Sequence, residues 1–375
     1  MSFIMEKNWS YNNRSLAKKS SLLKLLGINE NELLYVINNK SLFYIENKPK
    51  KGKNGKIRIT FKVIGLLKKI QKNIKDKILQ NISLPNCIVG GVKGNSYLSE
   101  CKEHTSQNII ISEDIKDFYP TISQPIIKDA LQYYFNFGPE VSTILSELVT
   151  FNDGLVQGSS LSTDIANIIF LEKENFVFHE LSRLGCTYSR YIDDITISCD
   201  RELSNEDITR IKVLVYGMIR SKGLLVNKQK SHIMRSGDRK IVHNVKVNNA
   251  IKPLDKRKSA LRMEVFIFEK KVQDSIDILD ILKTYKRIKG LINTLKQQGD
   301  KNTEKYISSL SDKLKLIDST KAKKTIRSEI RKCKSLPELQ KIKSKLIVLS
   351  KVNASFKVIL DSEYKTKKFK LVSKK

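Results

Sequence analysis

The sequence predicts an α+β fold, on three observations. Two short β-branched, apolar runs, NIIISEDI at 108–115 and YIDDITIS at 191–198, read as buried strands, and both carry acids. Apolar residues elsewhere step by three and four, most plainly at Val63, Leu66, Leu67, Ile70, Ile74 and Ile78, which is the spacing of one helix face. From around residue 260 to the end the pattern is helical and rich in lysine.

In chain order, residues 1–50 read as short helices and loops, with SLLKLLGI the clearest apolar patch. KGKNGKIRIT (51–60) is a basic, Gly-containing turn feeding a short strand, and the amphipathic helix over 63–78 follows, with Lys68, Lys69, Lys72 and Lys75 on its other faces. Residues 83–110 are loop-rich, with Gly90, Gly91 and Gly94 close together. The first strand run then ends in carboxylates, and the second is interrupted by two acids. The chain contains no internal repeat and no long low-complexity tract.

The 375 residues hold 70 Lys and Arg against 39 Asp and Glu, a net charge of +31. Self-repulsion of that size disfavours a compact state unless an acidic partner shares it. Nucleic acid is the expected partner, because each phosphate contact releases a counterion. The basic residues are not gathered beside an apolar helix, which counts against an anionic membrane surface. Hydrophobic residues make up 40%, which excludes global disorder. No apolar stretch approaches the roughly 20 residues of a spanning helix, and the start, MSFIMEKNWS, lacks a signal-peptide core. Five scattered cysteines form no CxxC pair. A soluble, cytoplasmic, reduced protein of two or three domains is expected. Residues 301–375 alone carry 22 Lys and Arg against 7 Asp and Glu. That excess fits either a solvated helical surface or an appendage that grips nucleic acid.

Adjacent Asp193 and Asp194 inside an apolar run are the strongest anomaly. Successive strand side chains face opposite ways, so two mid-strand charges cannot both be hidden cheaply. A tight hairpin presenting both carboxylates at a cleft resolves the conflict. Asp114 ends the other run, and if the two strands lie side by side three carboxylates converge. Oxygen ligands of this kind suit Mg²⁺, and two such ions support phosphoryl transfer. Taken alone, YIDD is equally compatible with two surface aspartates in a turn.

Other segments accompany it. EDIKDFYPTIS (113–123), LVQGSSLSTDIAN (155–167), YIDD (191–194) and GLLVNKQKS (223–231) occur in the order of the motifs of the prokaryotic reverse transcriptases, the group of retron, group II intron and defence-associated enzymes, which the chain resembles over about residues 50–315. VHNVKVNN followed by KRKSALR is similar to the primer grip and the start of the thumb. The resemblance implies a right-hand polymerase: a fingers and palm core (51–240) with an antiparallel sheet packed on helices, then primer grip and thumb (241–316). An N-terminal helical segment (1–50) precedes these parts and a basic helical C-terminal extension (317–375) follows.

The resemblance also implies roles. Asp114, Asp193 and Asp194 would bind two Mg²⁺, with the Ile115 carbonyl at the same site. Tyr119 would lie beneath the incoming sugar, where its ring excludes a ribose 2′-hydroxyl. Gln157 and Gly158 would line the nucleotide pocket, and Lys56 and Arg58 would clamp the triphosphate, a task suited to the planar Arg fork. Lys230 would protonate the leaving pyrophosphate, and Tyr191 would abut the primer terminus. Asp117 stays outside the catalytic set. His104, His179, His232 and His243 show no ligand spacing and read as structural or surface residues.

The chain departs from the retron pattern at three places. SECKEH (99–104) keeps His104 of N-A-x-x-H but has Glu100-Cys101 for Asn-Ala. Val242-His243-Asn244 stands for V-T-G, and LVQG for LPQG. A retron enzyme and a divergent defence-associated lineage both fit.

The expected activity is RNA-directed DNA synthesis from a primer 3′ end. A dedicated, structured non-coding RNA would be the template, deoxynucleoside triphosphates the substrates, DNA the product and phage defence the setting. An effector protein or a second copy of the chain are further candidate partners. Template-independent or protein-primed DNA synthesis, RNA synthesis and a non-catalytic nucleic-acid-binding scaffold are the alternatives.

Overall fold

The run at 108–115 becomes the strand Ile109–Asp114, an inner strand of a four-stranded sheet in this computed structural model, which describes residues 8–51, 55, 57–274, 278–315, 319–352 and 354–373. The strand order across the sheet is Cys186–Tyr191, Asp194–Cys199, Ile109–Asp114 and His232–Met234, antiparallel throughout. YIDDITIS is therefore not one strand. Tyr191 ends a strand, Asp194 begins the next, and Ile192-Asp193 forms the turn between them. A hairpin moves both acids to the sheet's end, where an unbroken strand would have buried one of them.

The register sorts the side chains by face. Cys199 pairs with both Cys186 and Ile109, and Ile197 pairs with Tyr188 and Ile111. Together with Ile195 these form a buried apolar face, all of it part of one continuous core. Helix Leu171–Arg183 packs on the outer hairpin strand, and helix Asn205–Arg220 packs on that helix. Each fully buried Ile contributes about 1.5–3 kcal/mol. The opposite face carries Ser112, Thr196, Ser198 and Ser189 and ends in the paired Asp114 and Asp194.

The amphipathic helix lies at Gly65–Lys77, burying Leu67, Ile70 and Ile74 as the spacing predicts. The stretch 83–110 is less loop-like than its composition predicts. It contains the helix Tyr97–Glu103, started by a capping box in which Ser96 and Ser99 each bond the other's backbone N–H. Residues 1–50 add short strands to the expected helices: Ser10–Tyr11 pairs with Ile82–Ser83, and Tyr44–Glu46 with Phe61–Val63.

The chain divides into two compact units, Met1–His243 with Val247–Ala250, and Asn244–Lys246 with Ile251–Lys375. The second opens with a short ladder, Val245–Lys246 on Lys252–Pro253. It continues as helices Asp255–Gln273, Ile278–Gln297, Glu304–Lys315, Ser319–Lys332, Leu336–Val352 and Ala354–Val372, matching the helical pattern expected there. Their apolar seam includes Leu261, Phe268, Ile288, Ile326, Ile330 and Leu360.

Candidate active site

Asp114 and Asp194 are direct cross-strand partners, so their side chains leave the same face of the sheet. Asp193 is placed beside them by its carbonyl, which accepts the Ile115 N–H at 2.9 Å. Burial pushes the Asp193 carboxyl up, helped by the Asp114 charge, with Lys230 and Arg58 offsetting part of this. Burial and then the Asp193 charge raise Asp194 to about 6. Among the described residues, the acids of the site repel one another, and Lys230, Arg58 and His243 offset part of this.

The segment Gly223–Ser231 closes one side of the site. Val226 bridges Ile115, and the Asn227 N–H donates to the Asp114 carbonyl at 2.8 Å. The Asn227 side chain donates to Asp114 Oδ1 at 2.9 Å, and Lys230 Nζ to Oδ2 at 2.6 Å. Burial works against the Lys230 ammonium, but its bond to Asp114 and the acids' charge raise it overall.

The turn itself is strained. Ile192 has φ +63°, rarely adopted by a β-branched residue. Residues 87–90 hold it from one side: Arg190 N donates to the Cys87 carbonyl, and the Arg190 carbonyl accepts from Val89 N at 2.9 Å. At Gly90 any Cβ would meet Ile192 N at 2.5 Å, so only glycine allows this approach. The fully buried Arg190 guanidinium donates to both oxygens of fully buried Glu174, at 2.6 and 2.7 Å, and to the Ile192 carbonyl at 3.1 Å. Asn167 joins this network by accepting from Arg190 and donating to the Gly90 carbonyl.

On the polar face, His104 is buried between Ser198 and Ser189, at 2.7 and 2.8 Å, and burial drives its pKa down to about 4. It is structural, as the sequence predicts. His243, expected to be structural or at the surface, lies largely buried at the carboxylate end of the sheet. Its Nε2 lies 2.6 Å from Glu100 Oε2, its Nδ1 3.8 Å from Asp194 Oδ2, and its ring 4.8 Å from that of Tyr191.

Tyr119 is half-buried, its hydroxyl 2.8 Å from Thr163 Oγ1. The Gln157 carbonyl accepts from Phe61 N at 2.8 Å, which ties the pocket loop to the strand Phe61–Val63. Gly158 has φ +111°, and a Cβ there would meet the Phe61 carbonyl at 2.3 Å, so its freedom serves chain packing as well as any ligand. Arg58 is exposed on the ladder Ile57–Arg58 with Lys50–Lys51. Lys56 lies outside the described residues.

This geometry has relatives. A family profile described as reverse transcriptase (RNA-dependent DNA polymerase) matches residues 48–281. The chain is 31% identical over 318 residues to the Retron Se72 reverse transcriptase of Salmonella heidelberg (strain 579083-10), covering 84% of each. The chain belongs to the reverse transcriptase family. The Escherichia coli Retron Ec48 reverse transcriptase is 25% identical over 52% of this chain and 50% of its own length. A solved telomerase from Candida albicans, in complex with a fragment of telomeric RNA, aligns over 90% of this chain and 71% of its own at 11% identity and a TM-score of 0.40.

As a reverse transcriptase the chain is an RNA-directed DNA polymerase with the mixed helix-and-sheet fold of a right-hand polymerase, working on an RNA template and nucleotide substrates with divalent metal ions. No helix among the described residues is long and apolar enough to cross a membrane. Also among the described residues, no group of three His, Cys, Asp or Glu side chains closes around a metal unaided. The donor set nevertheless fits a hard cation, which completes its shell with water and phosphate oxygens. Sequence reasoning missed Asn227, the Arg190–Glu174 pair and the Glu100–His243 pair as parts of this reverse transcriptase site. Asn227 left a signal in sharing a motif with Lys230, and Glu100 and His243 left one as departures from the retron pattern, whereas Arg190 and Glu174 stood out in neither way.

Proposed function

We propose that this reverse transcriptase extends a primer 3′ end on a dedicated, structured RNA, as a retron-type enzyme of phage defence, with Mg²⁺ as its metal. One observation carries the catalytic reading: Asp114 and Asp194 face each other across two paired strands, with Asp193 tied to the next backbone position. These three carboxylates and the Ile115 carbonyl would hold two Mg²⁺, which when bound activate the attacking hydroxyl and stabilise the leaving oxygen. Asn227 holds Asp114 in place through both side chain and backbone. Lys230 keeps a proton at Nζ beside the acids, ready for the departing pyrophosphate. Arg58 and Lys56 would take the triphosphate, Gln157 and Gly158 would line the base and sugar pocket, Tyr119 would exclude the ribose 2′-hydroxyl, and Tyr191 would meet the primer terminus.

The regions keep their proposed roles: fingers and palm at 51–240 after the N-terminal segment 1–50, grip and thumb at 241–316, and extension at 317–375. The excess of basic residues over 301–375 supports RNA holding there. The test is to sequence the nucleic acid that copurifies with the protein, before and after RNase treatment. One recurrent structured RNA with cDNA copied from it supports the proposal. A random pool, or DNA unrelated to any bound RNA, overturns it.

A further inference from the structure

Two of the positions that depart from the retron pattern, Glu100 and His243, are 143 residues apart in sequence and bonded at 2.6 Å in space. Glu100 is fully buried, and both of its oxygens are engaged, since Oε1 accepts from Ser189 Oγ at 2.7 Å. Ser189 is also a partner of His104, so the carboxylate is anchored in the polar face of the sheet. The helix carrying Glu100 is fixed beside His243 by a further contact, Cys101 Sγ to the Val242 carbonyl at 3.4 Å. His243 itself has φ +48°, a left-handed conformation that a residue with a Cβ adopts when its surroundings impose it. The imidazole is thereby held against the Tyr191 ring, tilted at 59°, with Tyr97 edge-on at 6.5 Å and Asp194 at 3.8 Å.

We infer that Glu100 and His243 act as one positioning unit that sets Tyr191 and Asp194 against the primer terminus. The unit rests on the catalytic reading above. His243 is the residue that touches the hairpin, and Glu100 orients it. With Glu100 replaced, the imidazole is free to turn onto Asp194 and compete for a carboxylate the reaction needs. With His243 replaced, Glu100 keeps one partner and a buried charge, which strains the Ser189 strand beside Tyr191. Replacing both residues removes both conflicts. Two groups that act through each other therefore give effects that do not multiply.

The test is steady-state primer extension by the full chain, varying primer–template and deoxynucleotide separately. Glu100→Asn, whose shorter side chain withdraws from His243, and His243→Thr should each lower kcat/KM for primer–template by about tenfold. The KM for deoxynucleotide should move less than about twofold, since among the described residues the pair's side-chain contacts go to Ser189, Tyr97, Tyr191 and Asp194. The double variant Glu100→Asn with His243→Thr, which restores the family's residues at both places, should recover to within about threefold of the parent. Multiplied losses in the double variant overturn the inference, as does a loss confined to the deoxynucleotide KM. Asp193→Asn with Asp194→Asn separates the two levels. If that variant still incorporates nucleotide, the catalytic reading falls and takes this inference with it. If it is inactive while the pair's losses multiply, only the inference falls.

Discussion

The two faces of the central sheet share every strand and bury opposite kinds of group. One face presents Ile109, Ile111, Ile195, Ile197 and Cys199 to the core and seals the Arg190–Glu174 pair beneath the turn. The other presents Ser112, Thr196, Ser198 and Ser189, holds the neutral His104 between two serines, and ends in the carboxylates. The first keeps the sheet folded, and the second sets the geometry of its open end. The hairpin Tyr191–Asp194 is where the two tasks meet, because Arg190 reaches the Ile192 carbonyl from one side and His243 reaches Tyr191 from the other.

If the faces are separable in this way, damage to one should leave the other's property intact. The largest effect belongs to Asp193→Asn with Asp194→Asn. Nucleotide incorporation should fall by at least about a thousandfold with no loss of melting temperature, because Asp194 is half-exposed and the change relieves repulsion. A parallel drop in melting temperature would blur the distinction. Arg190→Met should act mainly on stability, costing about 3–5 kcal/mol by stranding Glu174, as read in urea unfolding, with a smaller fall in kcat because it also frees the Ile192 carbonyl. Adding Glu174→Leu should recover part of this, since an apolar pair of similar size can replace a buried ion pair. Gly90→Ala sits on the boundary. Its methyl group would press on Ile192 N, costing about 1–3 kcal/mol of stability and depressing kcat more than Arg190→Met does, read at temperatures where the chain is fully folded. The smallest effect is expected from Thr163→Val. It removes the Tyr119 hydroxyl's partner at a cost of about 1 kcal/mol and should relax discrimination against ribonucleotides severalfold, measured by competing deoxy- and ribonucleotides.

The strands, the convergent carboxylates and the main helices were legible in the letters, because acids inside β-branched runs violate strand alternation and leave few solutions. The family motifs extended that reading to Lys230, Tyr119 and the pocket loop. The contacts that hold the turn were not legible. Arg190 looks like any basic residue before YIDD until helix Leu171–Arg183 brings Glu174 to it. Glu100 and His243 look like isolated departures until the fold places them side by side. Pairings of this kind are set by tertiary packing, which local spacing does not encode. Gly158 shows the same limit: a glycine was expected there, but its steric neighbour, the Phe61 carbonyl, comes from a segment about a hundred residues away.

The register of Asp114 against Asp194 also bears on quality control during folding. Side-chain facing has a period of two, so a one-residue slip between these strands would turn Ile109 and Ile111 out of the core and bring Ile110, Ser112 and Asp114 towards it. Such a chain could not bury its apolar face and would be exposed to chaperones and proteases. Catalytic alignment and foldability are therefore inspected together, and a misaligned but well-folded polymerase has no stable place in the ensemble.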